Sequence, residues 1–115
     1  MEKVWIYDNI LDTVSNEEIE QRLAGVRAFA AKNHLTVVGE SVDRHTLSAY
    51  SWDGFEAAID ALKSKNAESI LIPSISALGK DWEIESAKIC RVASVGGLTL
   101  SVKEGQINPL VMSLR

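Results

Sequence analysis

Residues 69–81 read Ser-Ile-Leu-Ile-Pro-Ser-Ile-Ser-Ala-Leu-Gly-Lys-Asp, and this stretch decides the fold. Its first part, Ser69–Ile72, is a short apolar run rich in β-branched side chains, which predicts a fully buried central strand. Pro73 cannot donate to a sheet ladder, so the strand is expected to end there. The polar loop that follows leads into a helix near Asp81, and it contains Ser74, Ser76, Gly79 and Lys80. A buried strand followed by a polar loop and a helix is where an open α/β fold places its site.

Strand and helix patterns alternate along the whole chain with a period of roughly 30 residues, which is typical of βαβ units and a parallel sheet. Ser15 followed by Glu18 has the spacing of a helix capping box, and Asp53 with Glu56 repeats it. The predicted strands are Val4–Tyr7, Leu35–Val42, Ser69–Ile72 and Leu98–Val102, and the predicted helices begin near Ser15, Asp53 and Asp81. We therefore expect one domain over residues 1–115, an α/β three-layer sandwich around a mostly parallel sheet of four strands or five.

The bulk composition excludes several classes of protein. The chain has 115 residues and a formal net charge of −4, which argues against broad electrostatic binding of nucleic acid. Because Cys90 is the single cysteine, an internal disulfide is excluded. Its position in an apolar helix predicts that it packs in the protein core. No stretch approaches the ~20 apolar residues of a membrane span, so we expect a cytoplasmic location and no membrane partner.

The loops after the parallel strands are expected to face one side of the sheet and to carry any chemistry. They are Asp8–Ser15, Asp43–Ser51, Pro73–Lys80 and Lys103–Pro109. The first has two acids, which would repel phosphate, and no glycine, so it is a poor match to a flavin or dinucleotide phosphate loop. The side chains that could face the site are Tyr7, Asp8, Asp12, Thr13, Asp43, Arg44, His45 and Ser74.

Two kinds of chemistry are conceivable at these loops. His45, next to Arg44 and near Asp43, could do acid–base work, although no nucleophile with a defined relation to it is visible. Asp8, Asp12 and Asp43 could gather around a metal ion. The favoured interpretation is that these acids are solvated loop residues, so that no metal and no cofactor is expected.

Several segments, in order, carry a resemblance to a known family. The most specific is Ser76–Asp81, Ser-Ala-Leu-Gly-Lys-Asp, which is similar to an Asp/Ser-Arg-Leu-Gly-Arg-Asp motif. Val4–Tyr7 and Ala28–Asn33 match a first strand and the end of a first helix. Val37–Asp43 matches a second strand, and Gly97–Gly105 matches the last one. Together they resemble the N-terminal catalytic domain of the serine recombinases, the resolvase/invertase family, over about residues 3–112.

The resemblance implies that the catalytic residues of this family are missing. In the family, the first strand ends in Tyr-x-Arg-x-Ser, and the serine attacks a DNA phosphate. Counting from Tyr7, the arginine position holds Asn9 and the serine position holds Leu11, or Asp12 if one residue is inserted. Phosphoryl transfer needs cations that neutralise charge growing on the phosphate oxygens.

The central motif shows the same loss. Its two arginine positions hold Ala77 and Lys80, and the aspartate position before them holds Ser76. Lys80 keeps one positive charge but lacks the planar fork of arginine. No confident catalytic residue can therefore be assigned.

Three functions remain open. The first is a resolvase-like domain, related to site-specific DNA recombination, that is inactive and acts by protein association. It would form a homo-oligomer or bind a partner protein through the third helix and the tail Pro109–Leu114. The second is a divergent recombinase that uses Thr13 or Ser15. Since no helix-turn-helix domain is expected in this chain, DNA would be bound only through a missing domain or a partner. The third is a small-ligand binder that uses Asp8, Asp43 and Lys80 at the strand ends.

Overall fold

The buried central strand forms where the apolar run predicts it, at Ser69–Ile72, and all four of its residues are buried. The structure is a computed structural model, and it describes residues 2–46, 49 and 51–108. In chain order the elements are β1 (Lys3–Leu11), α1 (Asn16–Lys32), β2 (Thr36–His45), α2 (Asp53–Lys63), β3 (Ser69–Ile72), a 3₁₀ helix (Ile75–Leu78), α3 (Trp82–Ser94), β4 (Leu98–Ser101) and β5 (Gly105–Ile107).

The sheet has five strands in the order β2-β1-β3-β4-β5. The first four run parallel, and β5 pairs with β4 in the antiparallel direction. This confirms the predicted mostly parallel α/β sheet, with the fifth strand present. Because β1 and β3 lie side by side in the middle, the carboxyl ends of β1, β2 and β3 meet at one edge of the sheet.

One helix covers one face of the sheet and two helices cover the other. On the first face, the stripe of α1 packs against β1; the contacting residues include Ile19, Leu23, Val26 and Val4, Ile6, Ile10. On the second face, α2 and α3 pack over β1 and β3; this cluster includes Phe55, Ile59, Leu62, Ile89, Val92 and Tyr7, Ile70, Ile72. The result is the predicted three-layer sandwich.

The first and third helices begin near Ser15 and Asp81, as predicted, and each of these side chains caps its helix. Ser15 Oγ accepts a hydrogen bond from the amide of Glu18 at 3.1 Å, and Asp81 Oδ1 accepts one from the amide of Ile84 at 3.0 Å. Each cap satisfies an amide that has no partner inside its helix.

The predicted cap of the second helix was wrong. Its N-cap residue is Trp52, which makes no side-chain capping bond. Asp43, at the end of β2, instead accepts hydrogen bonds from the amides of Gly54 at 2.6 Å and Phe55 at 3.0 Å. A carboxylate from another element therefore stabilises the start of α2, and local spacing carries no signal for such a contact.

The first two strands are longer at their carboxyl ends than predicted. β1 extends to Leu11 and β2 to His45, and they stay paired to the last residue, where Leu11 lies opposite His45. The expected loops at Asp8 and Asp43 therefore begin later. The interpretation of Asp8 and Asp43 as solvated loop acids was wrong, because both are buried in this strand pair. Continued parallel pairing overrode the low strand propensity of Asp and Asn.

The predictions for Cys90 and for the loop after β3 can also be compared with the structure. Cys90 was expected in the core but is exposed on α3. The loop after β3 contains the 3₁₀ helix, in which Ala77 and Leu78 are buried. The predicted Pro109–Leu114 surface lies outside the described residues.

Candidate functional site at the carboxyl ends of the strands

A crevice opens at the edge of the sheet where β1, β2 and β3 end. It consists of two cavities of about 440 Å³ and about 240 Å³ that share Asn9, His45 and Ser76 as lining residues. The larger cavity extends along α1 and includes Leu11 and Arg22; the smaller one extends toward the loop after β3. We refer to these as the large and small cavities of the strand-end crevice.

A hydrogen-bonded pair of side chains, Asn9 and His45, lines both cavities. His45 Nδ1 lies 2.6 Å from Asn9 Oδ1. Because an amide oxygen can only accept, Nδ1 carries the hydrogen in this arrangement. Asn9 is buried and His45 is partly buried, so the contact holds the imidazole in one orientation at the mouth of the crevice.

The loop after β3 supplies the polar wall of the small cavity. Ser76 is exposed and its hydroxyl lies 2.6 Å from that of Ser74. Glu104 holds this loop from the β4–β5 turn, since its Oε1 accepts from the amide of Ile75 at 2.9 Å and from the hydroxyl of Ser101. Lys80 completes the wall and brings a positive charge.

Gly79 lets the loop lie close to α3 at this point. A Cβ at residue 79 would come within 2.5 Å of Ile84 Cγ2. Any larger residue would therefore push the polar wall away from the helix.

Asp8 is beside the crevice but is already engaged. Its carboxylate accepts from Arg22 Nε at 2.8 Å and from Arg22 Nη2 at 3.0 Å, and it also accepts from the amide of Asn9. The hydrogen bond to Asp8 raises the pKa of Arg22 above its ordinary value. In this bidentate ion pair, the charges of Arg22 and Asp8 neutralise each other beside the large cavity.

Tyr7 and Asp43 lie beneath the start of α2, and neither lines the crevice. Tyr7 Oη donates to Asp43 Oδ2 at 2.7 Å. Burial, followed by this hydrogen bond, raises the pKa of Tyr7 far above its ordinary value. Lys88, only 2% exposed, places its ammonium 4.4 Å from the ring centroid of Trp52 and 5.0 Å from that of Phe55.

The remaining candidates form an exposed turn. Arg44 donates to the carbonyl oxygens of Asp12 and Val14 and to Asn16 Oδ1, so it braces the connection from β1 to α1. Asp12 and Thr13 are exposed and line neither cavity.

Asp8, Asp12 and Asp43 thus do not converge. Within residues 2–46, 49 and 51–108, no group of three or more His, Cys, Asp or Glu side chains could hold a metal ion.

Sequence reasoning missed two residues that shape this region. Arg22 lies three residues after Ile19 and four before Val26, so the helical period already placed it on the inward side of α1. Lys88 lies four residues after Ile84 and four before Val92, which put it on the buried side of α3. The helical period therefore carried the signal in both cases.

The fold is that of the catalytic domains of serine recombinases. A resolvase family site-specific recombinase from Streptococcus pneumoniae superimposes with a TM-score of 0.81 at 20% identity, over 99% of this chain and 83% of that one. The C-terminal catalytic domain of ISC1926 TnpA, an IS607-like serine recombinase, gives 0.73 at 16% identity, over 97% and 77% of the two chains. The N-terminal catalytic domain of TP901-1 integrase gives 0.75 at 16%, over 98% and 90%.

The sequence itself matches no protein-family profile and no curated protein. The structural likeness nevertheless confirms the fold that the ordered motifs suggested, along nearly the whole chain. In the described part of the chain, no helix has both the length and the apolar character that a membrane crossing requires.

Proposed function

We propose that this protein is a resolvase-like domain, related to site-specific recombination, that does not carry out phosphoryl transfer and acts by associating with a second copy of itself. The single observation that carries the proposal is Leu11. It stands where the resemblance places the serine nucleophile, and its side chain, 41% exposed, lines the large cavity. A leucine offers no atom that could attack a phosphate.

The positions of the missing cations support the same proposal. Asn9, at the first arginine position, is neutral and its side-chain oxygen is bonded to His45. Ala77, at a second arginine position, is 2% exposed and packs in the core with Leu78 and Ile89. A guanidinium there would have to be buried without a partner, which is strongly unfavourable.

The alternative nucleophiles are poorly placed. Ser15 already caps α1, and Thr13 lies in an exposed turn that lines neither cavity. Ser76 does line the crevice, so it is the hydroxyl that an active enzyme of this shape would have to use. It therefore serves as the decisive control below.

The outer side of α3 supports the association part of the proposal. Ile89 and Val92 are buried in the core, whereas Ala87, Cys90 and Trp82, the last of them 49% exposed, are accessible on the surface of the same helix. Covering such apolar surface in a symmetric dimer would be favourable by about 25 cal/mol for each Å² removed from water. We define Trp82, Ala87 and Cys90 as the outer α3 surface.

The test of inactivity uses supercoiled DNA that contains many sequences. The protein is incubated with it, the reaction is stopped with detergent, and nicked, linked or protein-bound DNA is scored, with an active resolvase on its own site as positive control. We expect no adduct from the wild type and none from Leu11→Ser, because the cations are still missing. A covalent adduct from the wild type refutes inactivity, and its loss in Ser76→Ala would identify the nucleophile.

The test of association is sedimentation equilibrium over a wide range of protein concentration. We expect a dimer that Trp82→Glu converts to monomer, since a charge would be buried in the interface. Val38→Glu is the matched control, because Val38 is 40% exposed but belongs to β2 and not to α3. A monomer at all concentrations, or equal effects of the two variants, contradicts self-association through this surface.

A further inference from the structure

We propose that the strand-end crevice binds a small organic oxyanion, a carboxylate or a phosphate ester, whose apolar body fills the large cavity. This inference goes beyond the proposed function, which concerns DNA chemistry and self-association. It rests on the division of the crevice into a polar, cationic part and an apolar part.

The small cavity has the chemistry of an anion site. Its five lining residues are Asn9, His45, Ser76, Gly79 and Lys80, and none of them is acidic. They provide the charge of Lys80 and the hydroxyl of Ser76 within one space of about 240 Å³, whereas the Nδ1 hydrogen of His45 is already donated to Asn9. These groups suit an oxyanion that can accept several hydrogen bonds at once.

Charges elsewhere in the crevice direct an anion to this end. Arg22 lines the large cavity, but Asp8 already holds it through two hydrogen bonds, so the pair contributes little net charge. Glu18 also lines the large cavity and would repel an anion from that side. The small cavity, which Lys80 lines together with no acidic residue, is the position that we assign to the negative group.

The large cavity has an apolar wall formed by Ile10, Leu11 and Val14. Its volume of about 440 Å³ lies within the usual range for small-molecule sites, roughly 300–1,000 Å³. Leu11 contributes directly, because it lines this cavity, is 41% exposed and belongs to no buried cluster of the core. The same leucine that removes the nucleophile thus provides an apolar contact for a ligand.

The polar groups are held in place before any ligand arrives. Asn9 fixes the orientation of His45, and Glu104 fixes the loop that carries Ser76. A site whose groups are already ordered loses less entropy on binding.

The test is a titration of ¹⁵N-labelled protein followed by NMR chemical shifts. Phenyl phosphate and phenylacetate each join an oxyanion to an apolar ring, inorganic phosphate has only the anion, and benzyl alcohol has only the ring. We expect saturable shifts centred on residues 9–14 and 76–80 with at least one of the first two probes, and binding about tenfold weaker or more for the other two. Phenyl phosphate alone indicates an ester ligand, and phenylacetate alone indicates a carboxylate.

Variants with matched controls complete the test. Lys80→Gln and Leu11→Ser should each weaken the bound probe about tenfold. Lys63→Gln and Leu98→Ser, which change an exposed lysine and an exposed leucine outside the crevice, should leave it unchanged. The proposal is overturned if neither ring-bearing anion binds, if inorganic phosphate binds as tightly, or if the crevice variants behave like their controls. Each outcome is independent of the DNA and sedimentation assays.

Discussion

Replacing Asp43 by asparagine should destabilise this protein more than any comparable change of a single charge on its surface. The Asp43 carboxylate is 3% exposed and accepts from three donors, the Tyr7 hydroxyl and the amides of Gly54 and Phe55. It also faces the buried ammonium of Lys88, whose pKa it raises against the larger, lowering effect of burial. One carboxylate therefore joins β1, β2, α2 and α3.

The size of the effect follows from these contacts. Asparagine has the same shape but only one acceptor atom, so at least one of the three donors loses its partner at a cost of about 1–3 kcal/mol. It also removes a negative charge that favours the buried ammonium of Lys88, which adds to this cost. We therefore expect a loss of about 2–3 kcal/mol in the free energy of unfolding.

The measurement is urea denaturation followed by tryptophan fluorescence and circular dichroism, with linear extrapolation to water. Asp60→Asn is the matched control, since Asp60 is an exposed aspartate on the same helix, α2, and should change the free energy by less than about 0.5 kcal/mol. A double-mutant cycle with Lys88→Met isolates the charge contribution, and we expect a coupling of at least about 1 kcal/mol.

Two results would refute this reasoning. If Asp43→Asn costs no more than Asp60→Asn, then the three hydrogen bonds do not hold α2 in place. If it is costly but the coupling with Lys88→Met is near zero, then the carboxylate acts only as a helix cap, and Lys88 is stabilised by the rings of Tyr7, Trp52 and Phe55 alone.

Three further predictions use the same unfolding assay. Burial lowers the pKa of Lys88 from its ordinary value of 10.5, so between the folded and unfolded pKa values the unfolded chain binds more protons than the folded one. The free energy of unfolding should therefore rise with pH in this interval. Lys88→Met should flatten the rise, measured at pH values below the titration of Tyr7. Gly54→Ala should cost about 1–3 kcal/mol, because the new Cβ would lie 2.9 Å from Asp43 Oδ1. The control Gly25→Ala in α1, where the Cβ has open space, should stabilise the protein by about 0.5–1 kcal/mol. Equal effects of the two variants would show that Asp43 does not approach residue 54 closely. Ser15→Ala should cost about 1 kcal/mol by removing the cap of α1, and Ser94→Ala, at the other end of a helix, should cost clearly less.

Much of the fold could be predicted because its strongest signals are local. The β-branched run at Ser69–Ile72, the caps at Ser15 and Asp81 and the alternation of strands and helices each specify an element through nearest neighbours. The carboxyl ends of β1 and β2 could not be predicted in the same way. Asp8 and Asp43 look like loop residues until Arg22 and the α2 amides, distant in sequence, satisfy them.

The candidate site also depends on contacts between residues that are distant in sequence, so it could be predicted only in part. The sequence named Asn9, His45, Ser76 and Lys80, and the structure brings these four together in the small cavity. It also grouped Asp43 and Tyr7 with them, because all follow strands. Tyr7 and Asn9 in β1, like Asp43 and His45 in β2, are two residues apart and point to the same face of the sheet. Only the position along each strand, nearer its carboxyl end, separates the crevice residue from the core residue.

The distribution of retained and altered positions links these observations. Each position that keeps the recombinase-like pattern has a structural role here: Tyr7 is bonded to Asp43, Gly79 allows the loop to approach Ile84, and Asp81 caps α3. The altered positions Asn9, Leu11 and Lys80 line the crevice. Among these residues, Tyr7 and Asp81 stabilise the fold without lining the crevice, whereas Gly79 does both. The division also predicts that changing the crevice should alter ligand binding while leaving the unfolding transition nearly unchanged, and that changing Tyr7 or Asp43 should do the reverse.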